Sequence, residues 1–262
     1  MVEVNTFSNG VTEVVLNRPE KRNAFDDRVI TELHRAFSEL TLDGSVRVVV
    51  LSARGEHFCA GADLAWMKRM AQFSHAQNTA DAQSLANMLR ALNTLPMPVV
   101  ARVQGAAMGG AVGLLSCCDL VVAAETARFA LSEVKLGLIP ATISPYVIKA
   151  IGARASRRYF VTGEFFDAQA ALQMGLVTHV VTDDALDDIL NEQINALLNN
   201  GPLAVRAAKC LVADFADRAI DDAVIQDTSQ RIADARVSVE GQEGLAAFLE
   251  RRAPGWSNGE KA

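Results

Sequence analysis

Cysteine and histidine are scarce in this 262-residue chain, four of each. Cys59, Cys117, Cys118 and Cys210 show no paired metal spacing, and His34, His57, His75 and His179 are scattered. That argues against a zinc site, so no metal is expected, and it predicts buried free thiols in a reducing compartment. A basic excess is also missing: 25 Lys and Arg stand against 31 Asp and Glu, a net charge of −6. Nucleic acid is therefore not expected as a partner, because phosphate binding needs a concentrated basic surface, although a local patch for one small anion remains compatible. No apolar run approaches the ~18 residues that span a bilayer, so no membrane association is expected. Met1-Val2-Glu3-Val4-Asn5 lacks a basic stretch followed by an apolar one, and the expected location is cytoplasmic. No internal repeat or low-complexity linker occurs, and only Ser257 to Ala262 are expected to be disordered.

Half of the residues are hydrophobic and charge is ordinary, which predicts a well-buried core. The length suits one large domain or two small ones. The most informative stretch is Gly105-Ala106-Ala107-Met108-Gly109-Gly110-Ala111-Val112-Gly113, which follows the apolar run 98–103. A strand that turns through small residues straight into a helix leaves the first helical N–H groups aimed outward, where negative charge can be held. Glycines also let a ligand lie against the backbone. Taken alone, the stretch is equally compatible with close packing of a helix on a sheet.

Phe58-Cys59-Ala60-Gly61-Ala62-Asp63-Leu64 repeats the layout after the strand expected at 46–51. One N–H from each loop can converge on one oxygen, which is an oxyanion hole. Elsewhere, strands are expected at 10–16 and 120–124, and a helix capped by Asp26 or Asp27 carries Val29, Leu33, Phe37 and Leu40 at helical spacing. One helical segment is expected over 64–93, its Trp66, Met67, Met70 and Met88 serving as pocket lining or equally as core. The alternation implies right-handed βαβ units. Glu133 is a lone acid among apolar residues, so it must be solvated, paired or functional. Beyond 150 the chain is read as helices at 154–160, 167–174, 185–198, 202–215, 220–235 and 240–251, with Asp167 as a cap and Gly175 as a left-handed terminator.

From Asn17-Arg18-Pro19 to Ala247-Phe248-Leu249-Glu250-Arg251-Arg252, the chain resembles the crotonase (enoyl-CoA hydratase/isomerase) superfamily. The resemblance implies an α/β fold: a ββα spiral core over 1–195, with two roughly perpendicular sheets, and a helical C-terminal trimerisation region over 196–262. It implies that the N–H groups of Ala62 and Gly110 form the oxyanion hole for a thioester, that Glu133 is the acid/base, and that the backbone at Ala60 reads the adenine of coenzyme A. Lys21, Arg22 and Lys68 become candidates for the phosphates or adenine, although a solvated face explains Lys68 as well. Asp63, Leu64, Gly109, Gly113 and Ala141 fall on the substrate side, and Phe248 and Arg251 match positions that approach coenzyme A, often from a neighbouring subunit. The thioester is the substrate and no separate cofactor is implied; a homotrimer or a hexamer of paired trimers is.

Two departures qualify the resemblance. Hydratases with two catalytic glutamates carry the second one where this chain has Gly113, and the usual Gly-Gly-Thr-Gln after Ile139-Pro140 is replaced by Ala141-Thr142-Ile143-Ser144-Pro145. Both stretches look most like bacterial methylglutaconyl-CoA and carboxygeranoyl-CoA hydratases, whose substrates carry a carboxylate. The expected activity is hydration of such an enoyl-CoA. A Δ3-Δ2 enoyl-CoA isomerase using one glutamate is the alternative. A silent acyl-CoA-binding or RNA-binding relative is disfavoured by the two loops, by Glu133 and by the acidic charge.

Overall fold

The structure is a computed structural model that describes residues 1–257. The expected disordered tail lies outside the described residues from 258 onward, and Ser257 itself is held in a turn by a hydrogen bond to the Pro254 carbonyl (3.1 Å).

The first unit is a spiral in which each turn pairs once in a large sheet, pairs again in a short second layer, and then enters a helix. β1 (Val2–Thr6) and β2 (Val11–Leu16) form an antiparallel hairpin, after which the chain passes Phe25 into α1 (Asp27–Leu42). β3 (Val48–Ala53) leads through Cys59 and Ala62 to α2 (Leu64–Met70) and α3 (His75–Asn93). β4 (Val99–Val103) is followed by β5 (Ala106–Met108) and α4 (Gly110–Ser116); β6 (Leu120–Ala124) by β7 (Arg128–Ala130), a 3-10 turn (Glu133–Leu136) and α5 (Ser144–Thr162). β8 (Phe165–Asp167), α6 (Ala168–Met174), β9 (His179–Val181) and the first half of α7 (Leu186–Leu198) follow. The large sheet runs β1-β2-β3-β4-β6-β9, parallel after the first hairpin, and the small one β5-β7-β8. Parallel strands are covered on both faces, which is why β3 is buried at all six positions and reads as an apolar run broken only by Ser52. The α/β spiral agrees with the expectation.

Several local expectations are corrected. The glycine-rich stretch does not pass directly from strand to helix: Ala106–Met108 is a strand of the second sheet, paired with β7. The segment 64–93 is two helices. Ser74 ends the break between them with a reciprocal cap, accepting from Gln77 N–H (3.3 Å) while Gln77 Oε1 accepts from Ser74 N–H (2.8 Å). α5 begins at Ser144 and is kinked at Gly152, where φ is +75°.

Contacts divide the chain into a unit of residues 1–95 and 99–191 and another of 96–98 and 192 onward. The second contains α8 (Pro202–Phe215), α9 (Asp222–Val237) and α10 (Val239–Glu250). Glu240 caps α8 by accepting from Leu203 N–H (2.9 Å) and Ala204 N–H (2.7 Å), and Arg231 joins Asp214 to Asp227. Val212, Ile220, Val237, Val239, Phe248 and Leu249 of this unit are exposed. Among the described residues, no helix is long and apolar enough to cross a membrane.

Candidate active site

The loop before α2 is shaped by Phe25. Its N–H donates to the Gly61 carbonyl (2.7 Å) and its carbonyl accepts from Asp63 N–H (2.7 Å), a parallel bridge centred on Ala62. In such a bridge the residue between the two bonded groups turns its own N–H and carbonyl the other way. Ala62 is exposed, and its N–H meets no acceptor among the described residues. The loop before α4 is tied to it by Cys59, whose N–H donates to the Ala106 carbonyl (2.9 Å) and whose carbonyl accepts from Met108 N–H (3.0 Å). Gly109 then takes φ +54° and ψ −115°, which only glycine adopts readily, and α4 starts at Gly110 with no side-chain cap. As the first helical residue, Gly110 has no intrahelical acceptor, and its N–H also donates to nothing among the described residues.

Glu133 opens the 3-10 turn after β7, and its carbonyl is held by Leu138 N–H (3.1 Å). Its Oε2 is buried with no hydrogen-bond partner. Its Oε1 lies against Gly109, 3.1 Å from where a Cβ would stand. Burial pushes this carboxyl above its ordinary pKa range. Two uncommitted N–H groups and a carboxyl with one unpartnered oxygen beside one of their loops suit a carbonyl oxygen that gains charge while a proton is moved.

The structure brings Ala60 and Arg22 together, the Ala60 N–H donating to the Arg22 carbonyl (2.9 Å). Lys21 and Arg22 have exposed side chains on a loop pinned by buried Asn23, whose amide donates to the carbonyls of Arg54 and His57 (both 2.8 Å). Leu64 is 75 % exposed at the start of α2. Lys68, one turn later, is exposed too. Ala141 is exposed, and its carbonyl accepts from Ser144 N–H and Oγ. Phe248 and Arg251 belong to the second unit, Phe248 on α10 and Arg251 as its left-handed C-cap.

Asp63 and Gly113 complete the set expected on the substrate side. Asp63 does not present a free carboxylate: Oδ1 caps α2 through Ala65 N–H (2.8 Å) and Trp66 N–H (3.2 Å), and Oδ2 pairs with Arg18 (3.3 Å). Burial works against its ionisation, but those N–H groups and the charges of Arg18 and Lys21 outweigh it and hold the carboxyl below its usual range. Gly113 is buried and faces Ile143.

Three contributors escaped the sequence reading. Phe25 makes the bridge described above, and its ring lies 3.1 Å from the Cβ position of Gly110. Arg18 joins the caps of α1 and α2 by pairing with Asp26 (2.9 Å) and Asp63. Ile143 covers Gly113. Only the last had a visible signal, the altered segment after Ile139-Pro140. The Cys59 thiol, wholly buried and pushed up to about 12 by desolvation, stays protonated. Among the described residues, no group of three or more His, Cys, Asp or Glu side chains is placed to hold a metal.

Comparison with known proteins adds to this geometry. The enoyl-CoA hydratase/isomerase family matches residues 6–259. The crystal structure of an enoyl-CoA hydratase from Shewanella pealeana is 46% identical, with a TM-score of 0.93 over 97% of this chain and 95% of that one. Pseudomonas aeruginosa AtuE is 33% identical, with a TM-score of 0.94 over 98% and 99% of the two chains. The 2,3-dehydroadipyl-CoA hydratase of Escherichia coli is 32% identical over 243 residues, 92% of each chain.

Proposed function

Because the chain belongs to the enoyl-CoA hydratase/isomerase family over nearly its whole length, it is an enzyme of enoyl-CoA thioesters, and we propose that it adds water across the α,β double bond of methylglutaconyl-CoA or a related branched carboxyacyl-CoA. The observation that carries the reading is the Glu133 carboxyl beside Gly109, with Oε2 buried and unpartnered, together with the uncommitted N–H groups of Gly110 and Ala62 on the two loops.

In this mechanism the thioester oxygen accepts from Ala62 N–H and Gly110 N–H. Water attacks the β-carbon, electron density moves through the α-carbon to that oxygen, and the two donors stabilise the enolate, each by roughly 3 kcal/mol. Glu133 takes the proton from the attacking water and returns it to the α-carbon. A raised carboxyl pKa suits both steps near neutral pH. The Ala60 backbone, Lys21, Arg22 and Lys68 receive the nucleotide end of coenzyme A, Leu64, Gly109 and Ala141 lie along the acyl and pantetheine path, and Asp63 positions Ala62. Phe248 and Arg251 act on coenzyme A from the C-terminal region, 196–262, which assembles a homotrimer or paired trimers in the cytoplasm. The exposed apolar side chains of α8 to α10 support assembly. No further cofactor takes part, since the coenzyme A thioester is the substrate.

The choice of a carboxylate-bearing substrate rests on the likeness of the stretches around Gly113 and Ile143 to methylglutaconyl-CoA and carboxygeranoyl-CoA hydratases. One observation favours a second reading: Gly113 supplies no second carboxyl, and a single acid can shuttle a proton between α- and γ-carbons as a Δ3-Δ2 isomerase. Turnover of methylglutaconyl-CoA, crotonyl-CoA and a 3-enoyl-CoA, followed by the absorbance of the conjugated thioester, separates them. The expected result is loss of absorbance, fastest with methylglutaconyl-CoA. A gain from the 3-enoyl-CoA with no loss from the others establishes the isomerase, and coenzyme A binding without turnover refutes both.

A further inference from the structure

The two departures from the family pattern, thirty residues apart in sequence, meet in space. A Cβ on Gly113 would stand 2.4 Å from Ile143 Cγ2 and 2.8 Å from Ile143 Cβ, with Leu89 Cδ2 at 3.7 Å. The first two distances are far inside contact. Ile143 is 2% exposed and Leu89 wholly buried. Ile143 has little freedom to give way: it is branched at Cβ, and its carbonyl accepts from Tyr146 N–H and Val147 N–H (both 3.1 Å) at the start of α5. Gly109 precedes Gly113 by four residues, and its carbonyl accepts from Val112 N–H (2.9 Å) and Gly113 N–H (3.4 Å), so the Gly109 backbone and Gly113 meet in the first turn of α4. Glu133 Oε1 lies over Gly109, and Ile143 lies over Gly113.

We propose that Ile143 is a specificity-determining residue that keeps this site to a single carboxyl group, because its side chain fills the volume an acidic side chain at position 113 would need, so that position 113 can take a larger side chain only where position 143 becomes smaller. This rests on Glu133 as the acid/base. Its steric part can be read without any substrate.

The test is a cycle of Gly113→Glu, Ile143→Gly and the double variant, with Gly113→Ala as a mild probe, each measured for melting temperature and for the pH profile of crotonyl-CoA hydration. In open space, Gly113→Ala raises the melting temperature through better helix propensity. Against Ile143 it is expected to lower it by at least about 3 °C. The double variant is expected to melt above Gly113→Glu alone, to hydrate crotonyl-CoA at least about tenfold faster than either single variant, and to show a second ionisation in its pH profile. A Gly113→Ala protein as stable as wild type, or a double variant whose loss equals the sum of the singles, overturns the shared volume. Coupled stability with an unchanged pH profile overturns the role in specificity. A wild-type protein inactive on every enoyl-CoA refutes the catalytic reading and leaves the melting-temperature arm intact.

Discussion

At the start of α2 a side chain caps the helix; at the start of α4 none does. Asp63 takes the N–H groups of Ala65 and Trp66, so two of the first helical donors of the first loop are already spent. Its uncommitted N–H belongs to Ala62, outside the helix, and is spared because the bridge to Phe25 runs through Gly61 and Asp63. In the second loop, Gly109 has no side chain to offer, and the uncommitted N–H is that of Gly110, the first helical residue. One donor therefore depends on strand pairing, the other on a glycine backbone and an uncapped helix. Phe25 is common to both, since it bridges Ala62 and its ring lies against Gly110.

The largest effect is expected from the group that both loops serve. Glu133→Gln should lower kcat by about 10²- to 10⁴-fold with little change in coenzyme A affinity. The same variant should be more stable than wild type at neutral pH. Burial raises the folded-state pKa of Glu133 above the ordinary 4.5, so the fold favours the protonated acid. The stability Glu133 lends is complete below the ordinary pKa and is lost as pH rises through the folded value. Melting curves of the two proteins should therefore converge toward about pH 4 and separate toward about pH 8. A variant that retains more than about a tenth of wild-type turnover, a barrier change under ~1.4 kcal/mol, moves the acid/base role elsewhere.

Proline separates the two donors. Ala62→Pro removes an N–H that the bridge to Phe25 does not use, at an exposed position. Gly110→Pro also removes a donor, at a first helical position that tolerates proline, but it brings carbon toward the Phe25 ring. Each should cost about 10²- to 10³-fold in kcat. The melting temperature should fall more for Gly110→Pro. Equal activity loss with unequal stability loss is the signature of two equivalent donors built differently; full activity in a folded Ala62→Pro protein removes Ala62 from the oxyanion hole.

The sequence made legible what local chemistry decides. The small-residue loops stand out because glycine is required where Gly61 takes φ +96° and Gly109 takes φ +54°. Glu133 stands out as a charge among apolar residues. β6, α8, the Asp167 cap and the left-handed Gly175 lie where pattern and propensity put them. The resemblance implied a second sheet, but its strands could not be placed from the residues, because β5, β7 and β8 are three residues each, too short for a period, and exist only by pairing with one another. Side-chain partners from distant segments were equally hidden. The altered segment after Ile139-Pro140 marked Ile143 as unusual but not as the neighbour of Gly113, and nothing near Asp63 announces Arg18.

The smallest effect isolates what Asp63 does. Asparagine caps helices about as well as aspartate, so Asp63→Asn keeps the hydrogen bonds to Ala65 and Trp66 and replaces the oxygen that accepts from Arg18 with an NH2 group, losing the charge and the acceptor there. Arg18 keeps its shorter pair with Asp26, at 2.9 Å against 3.3 Å, and is not left alone. Thermal denaturation should then show a loss below about 1 kcal/mol, with kcat within about threefold of wild type. Asp63→Ala removes the cap as well and should cost about 2 kcal/mol, since alanine leaves the first N–H groups of α2 unsatisfied. The α4 loop has no cap to lose, so this difference between variants belongs to the α2 loop alone. A large drop in kcat for the asparagine variant with unchanged stability contradicts a positioning role and returns Asp63 to direct contact with the substrate.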